Sequence, residues 1–493
     1  MKNLKLILFI LAICFLYFSN GRFSFALAAW LFPALLLFVT RNSSKKFVLF
    51  VMPLTVAITL QLSFWRFTSS TPTNILFFIP FFAGLIFGLI FYVDRILYFT
   101  TNKFRSTLFF PLLYTSVDFL NGLFNPFGTT GVLAYSQIDF LPFAQLAAIT
   151  GVWGLTFMIT WFGSVVNWAI INHQQNNSIK KGMLIYSTIL LIIVSFGNIR
   201  LLLPINNTTV SIAGLHTTDK ELDGKAFWKA LAKKDTVAFN ACSNNQLNNL
   251  ITATRQQANG GAKIILWSEV SPTLLNTKED SVYNVLKTLA KELNVYLVAN
   301  PYVATISDKK PENKIWFFDT AGTNKLTHYK YGGNFIEGSV EGNKKLISTA
   351  TPYGNLSSII CWDADFPDVV RQLGKKEVAI CFNPASDWRE IDPIHSIVAA
   401  FRGIENGCSW VRQTRNGLSF MNDPRGKTLV KMDHFETDNW VNKANVPTVK
   451  MFTLYPIIGD LFGWLAIIGF LFLLISSLYK RLFKNYFTNS LFS

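Results

Sequence analysis

Three ionisable side chains stand at the ends of apolar, strand-forming runs of the sequence. Glu269 ends IILWSE, Lys330 ends LTHYK and Cys361 ends SSIIC. A thiol is a strong nucleophile only as a thiolate, which requires a base or a nearby cation. A carboxylate can serve as that base and then as an acid, and an ammonium can stabilise both the thiolate and the oxyanion of a tetrahedral intermediate. Together the three residue types indicate covalent catalysis through Cys361.

Each of these side chains also has an ordinary structural explanation. A cysteine at a strand end is most often a small buried hydrophobe, a lysine after a hairpin is usually solvated, and a glutamate after a strand often caps a helix. The catalytic hypothesis therefore depends on the fold. It requires a rigid sheet that presents the three side chains to one cleft.

Residues 205–450 have the pattern of an aqueous domain in which strands alternate with helices. The strand-forming runs are TTVSIAGLH, KIILWSEV, VYLVANPYV, LSSIICWDADF, VAICFNP, SWVRQTRNG and KTLVKMD. Helices are predicted at 278–294 and about 395–406, and residues 314–330 predict a β-hairpin with its turn at 319–324. This alternation predicts an α/β domain.

The residues around Cys361 resemble the nitrilase, or carbon-nitrogen hydrolase, superfamily. CWDADFP is similar to that family's Cys-Tyr-Asp-x-x-Phe-Pro motif, and NPASDW, RGIENGCSWVRQTRNGLS and DPRGK are similar to its downstream segments. The resemblance implies an α-β-β-α sandwich with Glu269, Lys330 and Cys361 as its catalytic triad. It also implies supporting roles for Glu337, which positions the lysine, and for the peptide N–H of Trp362, which binds the oxyanion. The positions that it assigns to building the pocket are Asn383, Arg402, Glu405, Arg412, Asn416, Gly417 and Ser419.

The rest of the chain is far more apolar than a soluble protein. Hydrophobic residues make up 51% of the 493 residues and charged residues only 15%, against about 25% in ordinary soluble domains. Apolar stretches that approach the length needed to cross ~30 Å of hydrocarbon occur at 6–19, 23–40, 47–65, 75–93, 107–121, 142–171, 183–200 and 456–478. We predict a polytopic α-helical membrane domain with seven transmembrane helices in residues 1–203. Residues 455–493 would add an eighth helix and a cytoplasmic tail.

Two of the predicted spans depart from the expected length. The 107–121 stretch is short and contains Asp118, whereas 142–171 is long enough to tilt or to protrude from the bilayer. Asp118 and Gln137 fall near the outer leaflet in this topology. Contact with lipid head groups and simple solvation are both open for these two polar side chains.

The basic residues between the predicted spans are distributed unequally. Those on one side are Lys2, Lys5, Arg41, Lys45, Lys46, Arg95, Lys103, Arg105, Lys180, Lys181, Lys480, Arg481 and Lys484, and the short segments on the other side carry only Arg22, Arg66 and Arg200. Because basic residues concentrate on the cytoplasmic side, we predict cytoplasmic termini and an extracytoplasmic domain at 205–450. The asymmetry accounts for most of the net charge of +16, so this charge does not indicate nucleic-acid binding.

The five cysteines show no spacing typical of a metal site. Because the outer domain faces an oxidising compartment in this topology, a disulfide between Cys242 and either Cys381 or Cys408 is open. The sequence predicts neither a cofactor nor a metal.

Seven spans, an outer nitrilase-like domain and an eighth span resemble the architecture of the apolipoprotein N-acyltransferase family. GVLAYSQIDFLPFAQLAAITGVWGLTF, at 131–157, is similar to that family's GYSQ to G-WG-F segment. The resemblance implies a multi-pass protein of the bacterial inner membrane whose catalytic domain is extracytoplasmic. It implies transfer of an acyl chain from a membrane phospholipid, through a thioester on Cys361, to the N-terminal amine of a diacylglyceryl-cysteine lipoprotein. The bilayer and these two lipid substrates are then the partners, and the protein is expected to be a monomer.

Three positions depart from the family pattern. Trp267-Ser268-Glu269 replaces Trp-Pro-Glu, the loop KYGGNFIEG that begins at Lys330 lacks the family's His and Pro, and Asp363 stands where the acyltransferases usually carry Glu. These differences leave two alternatives open. One is a membrane-tethered amidase or nitrilase in which water replaces the amine. The other is a non-catalytic lipid- or lipoprotein-binding protein, against which the retention of all three triad residues argues.

Overall fold

The computed structural model describes residues 2–69, 77–99, 103–175, 178–205, 208–217, 225–307 and 309–489. Residues 75 and 76 of the predicted span 75–93, and residues 490–493 of the predicted tail, lie outside them. The chain forms two compact units, one of Met1–Leu202 with Ile458–Ser493 and one of Leu203–Ile457.

The first unit is built from apolar helices. They are α1 (Lys2–Tyr17), α2 (Ala26–Arg41), α3 (Met52–Ser63), α4 (Trp65–Ser69), α5 (Ile79–Tyr98), α6 (Phe109–Phe124), α7 (Leu141–Ala144), α8 (Ala147–Thr150), α9 (Val152–Gln174) and α10 (Lys180–Leu202), with the last helix at Leu461–Asn489. Five described helical segments are long and apolar enough to cross a membrane: Ile79–Tyr98, Phe104–Phe124, Val152–Gln174, Lys180–Leu202 and Leu461–Tyr479. Shorter apolar helices cover the three N-terminal predicted spans. Membrane character is confirmed, and the count of eight spans stays a prediction.

Two predicted spans differ from the observed helices. The short 107–121 stretch is part of a 21-residue helical segment, Phe104–Phe124, because a 3₁₀ turn extends α6 at its start. The prediction of a single long span at 142–171 is wrong. The chain breaks at Gly151, whose φ of +61° is a conformation that glycine adopts easily, so that α7 and α8 precede a separate α9.

Asp118 and Gln137 are buried and hydrogen-bonded within the first unit. Thr156 Oγ1 donates to Asp118 Oδ2 over 3.0 Å, and Trp30 Nε1 donates to Gln137 Oε1 over 2.9 Å. Both alternatives that the sequence left open for these side chains, solvation and contact with lipid head groups, are therefore wrong. They join helices to one another inside the unit.

Close helix packing in the first unit depends on two glycines of α5. A Cβ atom on Gly84 would lie 2.4 Å from Ala57 Cα, and one on Gly88 would lie 2.3 Å from Pro53 Cα. Gly84 and Gly88 form a Gly-x-x-x-Gly pattern, which lets the backbones of two apolar helices approach closely. The α3–α5 contact therefore has no room for a side chain at either position.

The second unit is a sandwich of two sheets. Its strands are β1 (Thr209–Leu215), β2 (Ile264–Trp267), β3 (Thr273–Leu275), β4 (Tyr296–Ala299), β5 (Tyr302–Ala304), β6 (Glu312–Phe318), β7 (Asn324–Tyr329), β8 (Ser348–Thr351), β9 (Gly354–Ser358), β10 (Val378–Ser386), β11 (Ser409–Arg415), β12 (Leu418–Asn422), β13 (Thr428–Asp433) and β14 (Val441–Pro447). The first sheet has the order β14-β1-β2-β4-β6-β5-β3, with β7 paired to β6, and the second has the order β13-β12-β11-β10-β9-β8.

Alternation along the strands separates an inner core from an outer one. Ile264 and Leu266 of β2 face the inner core, which also contains Phe382 and Val411 of the second sheet. Ile265 and Trp267 face the opposite side, where they share a core with helical residues.

Helices lie between and after the strands of this part of the chain. They are α11 (Lys225–Ala232), α12 (Thr236–Asn259), α13 (Glu279–Leu293), α14 (Asn334–Glu337), α15 (Pro367–Val370), α16 (Gln372–Lys375), α17 (Ile394–Asn406) and α18 (Tyr455–Ile458). The helices α12 and α13 supply the outer core of the first sheet, and α17 contacts β11 and β12 of the second. The predicted α-β-β-α sandwich is confirmed.

Several local predictions for this unit are wrong in detail. The strand before Cys361 ends at Ser358, and the run VYLVANPYV divides into β4 and β5. Elements that the sequence did not predict are α11, α12, α14, α15, α16, α18, β3, β8, β12 and β14. All five cysteines are free thiols, so neither open disulfide forms.

Replacing Gly88 by leucine is expected to destabilise the first unit, because the side chain would have to occupy the position of the Pro53 backbone. Overpacking of this kind typically costs about 1–3 kcal/mol. Thermal unfolding of the purified protein in detergent measures the effect. Leu89→Phe, on the exposed side of the same helix, is the control and is expected to leave the melting temperature within error. Equal melting temperatures for both variants would contradict the packing account.

Candidate active site

The structure places Glu269, Lys330 and Cys361 just beyond three strand ends of the second unit. Glu269 is two residues after β2, Lys330 directly follows β7, and Cys361 begins the 3₁₀ turn Cys361–Asp365 after β9. All three side chains are buried, with exposed fractions of at most 3%. The sandwich thus holds an acid, an amine and a thiol in its interior.

Lys330 lies between two carboxylates. Its Nζ donates to Glu269 Oε1 over 2.7 Å and also to Glu337 Oε1 at the end of α14. Burial works to lower the pKa of Lys330, but the two carboxylates and Cys361 raise it well above its ordinary value. The lysine is therefore a fixed positive charge.

Glu269 has one bonded oxygen and one unbonded oxygen. Oε1 accepts from Lys330 and from Asn313 Nδ2, the latter over 2.8 Å, and Asn313 in turn accepts from Asn300 Nδ2 over 2.9 Å. Oε2 is buried and has no hydrogen-bond partner among the described residues. The carboxylate is thus held in place through one oxygen while the other can accept a proton.

The thiol of Cys361 is close enough to these groups to be controlled by their charges. Burial raises the pKa of the thiol well above its ordinary value, and the negative charge of Glu269 raises it further. Lys330 and Arg412 offset part of this increase. The resting side chain is consequently a protonated thiol that needs a base.

Cys361 stands in a strained turn that Asp363 holds together. The φ of Cys361 is +40°, in the left-handed region that non-glycine residues rarely adopt. Asp363 accepts from the peptide N–H of Ile360 over 2.9 Å, and from those of Tyr331 and Gly332 over 2.8 and 2.7 Å. This buried carboxylate therefore joins the 3₁₀ turn that begins at Cys361 to the loop that follows Lys330, which we call the lysine loop.

Two glycines of the lysine loop allow Trp362 to pack against it. A Cβ atom on Gly332 would lie 2.8 Å from the carbonyl carbon of Trp362, and one on Gly333, whose φ is +80°, would lie 2.7 Å from the indole ring. The GG of KYGGNFIEG thus replaces the family's loop sequence with one that fits a tryptophan after the nucleophile.

The opposite side of the thiol is formed by Asp387 and Arg412. Cys361 Sγ is 3.9 Å from Asp387 Oδ1. Arg412 donates to both oxygens of Asp387 over 3.0 Å, and its Nη1 donates to Asn383 Oδ1 over 2.6 Å. Burial alone would raise the pKa of Asp387, but Arg412 and His395 hold it below its ordinary value, so this carboxylate is charged.

The other positions assigned to pocket building make contacts of several kinds. Arg402 Nε donates to the carbonyl of Ala364 over 2.8 Å and pairs with Glu405. A Cβ atom on Gly417 would lie 2.9 Å from Asp387 Cβ. The preceding residue, Asn416, has a φ of +56°, while Ser419 Oγ accepts from the peptide N–H of Thr414 over 2.8 Å.

Sequence reasoning missed several residues that build this site. Asn313 and His395 lie in segments that carry no catalytic motif, and Asp387 was not singled out within its segment. The joining role of Asp363 depends on peptide groups about thirty positions away. His328, whose Nε2 lies 2.7 Å from Asp363 Oδ2, was likewise unremarked. One signal was available, since Asp387 sits inside the NPASDW segment.

Comparison with known proteins matches both units of the chain. The sequence model of the carbon-nitrogen hydrolases matches residues 239–450, and that of the apolipoprotein N-acyltransferase N-terminal domain matches residues 12–165.

Curated relatives align with most of the chain. Apolipoprotein N-acyltransferase of Borreliella burgdorferi is 25% identical over 79% of this chain and 80% of its own length. Apolipoprotein N-acyltransferase 2 of Treponema denticola is 26% identical over 71% of each chain, and the Geobacter metallireducens protein is 22% identical over 73% of this chain and 72% of its own. On both matched regions and on these relatives, the chain belongs to the apolipoprotein N-acyltransferase family of the carbon-nitrogen hydrolase superfamily.

Proposed function

We propose that this protein transfers an acyl chain from a membrane phospholipid to the N-terminal amine of a diacylglyceryl-cysteine lipoprotein, through a thioester on Cys361. The observation that carries the proposal is that the two carboxylate oxygens of Glu269 have different environments. One oxygen is fixed by Lys330 and Asn313, and the other is buried without a partner among the described residues while its charge acts on the thiol.

In the first half-reaction, Glu269 accepts the proton of Cys361 as the sulfur attacks the ester carbonyl. A carbon–sulfur bond forms, and the carbonyl electrons move to oxygen. Lys330 and the peptide N–H of Trp362 are the proposed donors to this oxyanion. The intermediate collapses as the carbon–oxygen bond breaks, and Glu269 returns its proton to the departing lysophospholipid alkoxide.

In the second half-reaction, the free α-amine of the lipoprotein attacks the thioester. Glu269 removes a proton from the nitrogen as the carbon–nitrogen bond forms, and then returns it to the leaving thiolate. The products are an amide and the resting thiol. Water competes with the amine at this stage, so an enclosed site favours transfer over hydrolysis.

The first unit contains a cavity whose lining suits an acyl chain. This cavity is lined mainly by apolar side chains of α1, α3 and α5, including Val56, Leu60 and Ala83. Phe127 and Gly131, from the segment between α6 and α7, also line it. Because both substrates are anchored in lipid, a catalytic domain attached to such a membrane unit meets them without extracting them from the bilayer.

The amidase alternative rested partly on Asp363, which soluble nitrilases share. The hydrogen bonds of Asp363 to three peptide groups give it a role that does not involve the acceptor. This residue therefore no longer favours water over an amine.

Purified protein is expected to N-acylate a synthetic diacylglyceryl peptide when phospholipid is supplied, as measured by mass spectrometry of the peptide. Cys361→Ala is expected to remove this activity completely, because no thioester can form. Cys408→Ala, which removes another buried thiol of the same unit, is the matched control and should retain it. Turnover of small water-soluble amides without peptide acylation would favour the amidase, and binding of lipid with neither reaction would favour the non-catalytic protein.

The raised thiol pKa predicts how Cys361 reacts with iodoacetamide. Alkylation should be slow at pH 7 and should accelerate with pH, since only the thiolate reacts. Glu269→Gln removes a negative charge and lowers the thiol pKa, so it should alkylate faster at a given pH even though acyl transfer is lost. Lys330→Met removes a positive charge and should alkylate more slowly. A change of about tenfold corresponds to one pKa unit.

Peptide mapping of Cys361 measures these rates, with Cys242, a partly exposed free thiol of the same unit, as the internal reference. Slower alkylation in Glu269→Gln than in the unchanged protein would contradict the proposed electrostatic control.

The proposed extracytoplasmic side of the second unit is tested by cysteine labelling. Val237→Cys, at an exposed position in α12, should react with a membrane-impermeant maleimide in spheroplasts. Ser44→Cys, in the basic segment between α2 and α3, should react only after lysis. The unchanged protein reports background from native thiols. The reverse labelling pattern would show that the topology is inverted.

A further inference from the structure

A second chemical grouping shares Cys361 with the proposed triad. Asp387 follows β10, and His395 lies in the first turn of α17. Cys361 Sγ is 3.9 Å from Asp387 Oδ1, and His395 Nδ1 is 3.7 Å from the same oxygen. The ligand atoms of the three residues all lie within 4.8 Å of one another. The fold thus gathers a thiol, a carboxylate and an imidazole from three separate segments.

His395 has unused hydrogen-bonding capacity. Its side chain is 1% exposed, yet neither ring nitrogen has a hydrogen-bond partner among the described residues. His395 Nδ1 lies at ion-pair distance from Asp387 Oδ1, but this 3.7 Å separation is too long for a hydrogen bond. Buried polar atoms are nearly always bonded, so an imidazole with two unbonded nitrogens beside a thiol points to a ligand. The indole of Trp362, with its ring centre 4.9 Å away, holds the imidazole in this position.

Thiolate, imidazole and carboxylate are the ligands that Zn²⁺ takes in proteins. Tetrahedral Zn²⁺ with bonds of ~2.0–2.3 Å separates its ligand atoms by about 3.3–3.8 Å. The Asp387 oxygen is 3.7 Å from the imidazole nitrogen and 3.9 Å from the thiol sulfur, and all three ligand atoms lie within 4.8 Å of one another. Binding would therefore draw the three groups together by up to about 1 Å. Three protein ligands would leave one position for water.

The charges around these three residues permit a divalent cation to bind. Arg412 uses one lone pair on each Asp387 oxygen, and a carboxylate has about four, so Asp387 can still bind a metal. The positive charges of Arg412 and Lys330 are opposed by Asp387, Glu269 and Glu337. A thiolate would add a further negative charge.

We propose that Cys361, Asp387 and His395 form a Zn²⁺ site that switches the enzyme off. Binding displaces the thiol proton to solvent and forms a sulfur–zinc bond, which occupies the lone pair needed to attack an ester. Binding itself does not depend on the proposed function, whereas inhibition rests on it.

Cobalt is the probe for binding, because a thiolate–Co²⁺ bond gives a charge-transfer absorption that Zn²⁺ does not. Titration of the purified full-length protein with Co²⁺ should produce this absorption, and Zn²⁺ should remove it by displacement. Cys361→Ser should abolish the absorption, and His395→Asn should weaken affinity at least about tenfold. His434→Asn, which changes a histidine stacked on Trp440, is the matched control and should titrate like the unchanged protein.

Inhibition is measured in the peptide N-acylation assay. Zn²⁺ should inhibit the unchanged protein and His434→Asn alike, a chelator should restore activity, and His395→Asn should require at least about tenfold more Zn²⁺.

No charge-transfer absorption in the unchanged protein, or one that His395→Asn leaves unaltered, would overturn the site. Absorption that depends on both residues, in a protein without acyl transfer, would uphold the site and refute the proposed function instead.

Discussion

The site depends on one buried ionic contact, the pairing of the Lys330 ammonium with the carboxylates of Glu269 and Glu337. A fully buried ammonium without partners would cost several kcal/mol. These partners come from the end of β2 and from α14, which the chain brings together only when the first sheet and the lysine loop are both complete. Removing one carboxylate therefore affects more than proton transfer, because it leaves the lysine charge less compensated beside the thiol.

Asp363 extends this constraint to the nucleophile. Its carboxylate accepts from peptide N–H groups of both segments, so it links the strained backbone of Cys361 to the loop that carries Lys330. The same contact accounts for two departures from the family pattern. A short Asp suffices where the loop approaches closely, and Gly332 and Gly333 permit that approach against Trp362.

The sequence predicts those features of the fold and the site that depend on neighbouring residues. It does not predict features that depend on residues far apart in the chain. The apolar spans, the strand-helix alternation, and the three side chains at strand ends depend on local pattern, and these expectations place the catalytic candidates on the correct elements. Other features depend on partners far along the chain. The strand β14 pairs with β1 more than two hundred residues away, and its sequence VNKANVP has little strand character of its own. The α7–α9 break needs only Gly151, yet a hydropathy pattern does not report φ.

The central claim is that Glu269 and Lys330 make Cys361 a nucleophile toward a lipid ester. Incubation of the protein with phospholipid alone, without any amine acceptor, tests it most directly, with mass spectrometry of the tryptic peptide that contains Cys361. The account predicts a mass increase equal to one acyl chain, removed by hydroxylamine and absent in Glu269→Gln. An unmodified Cys361 in the active protein, or an acyl group that survives hydroxylamine, would contradict it.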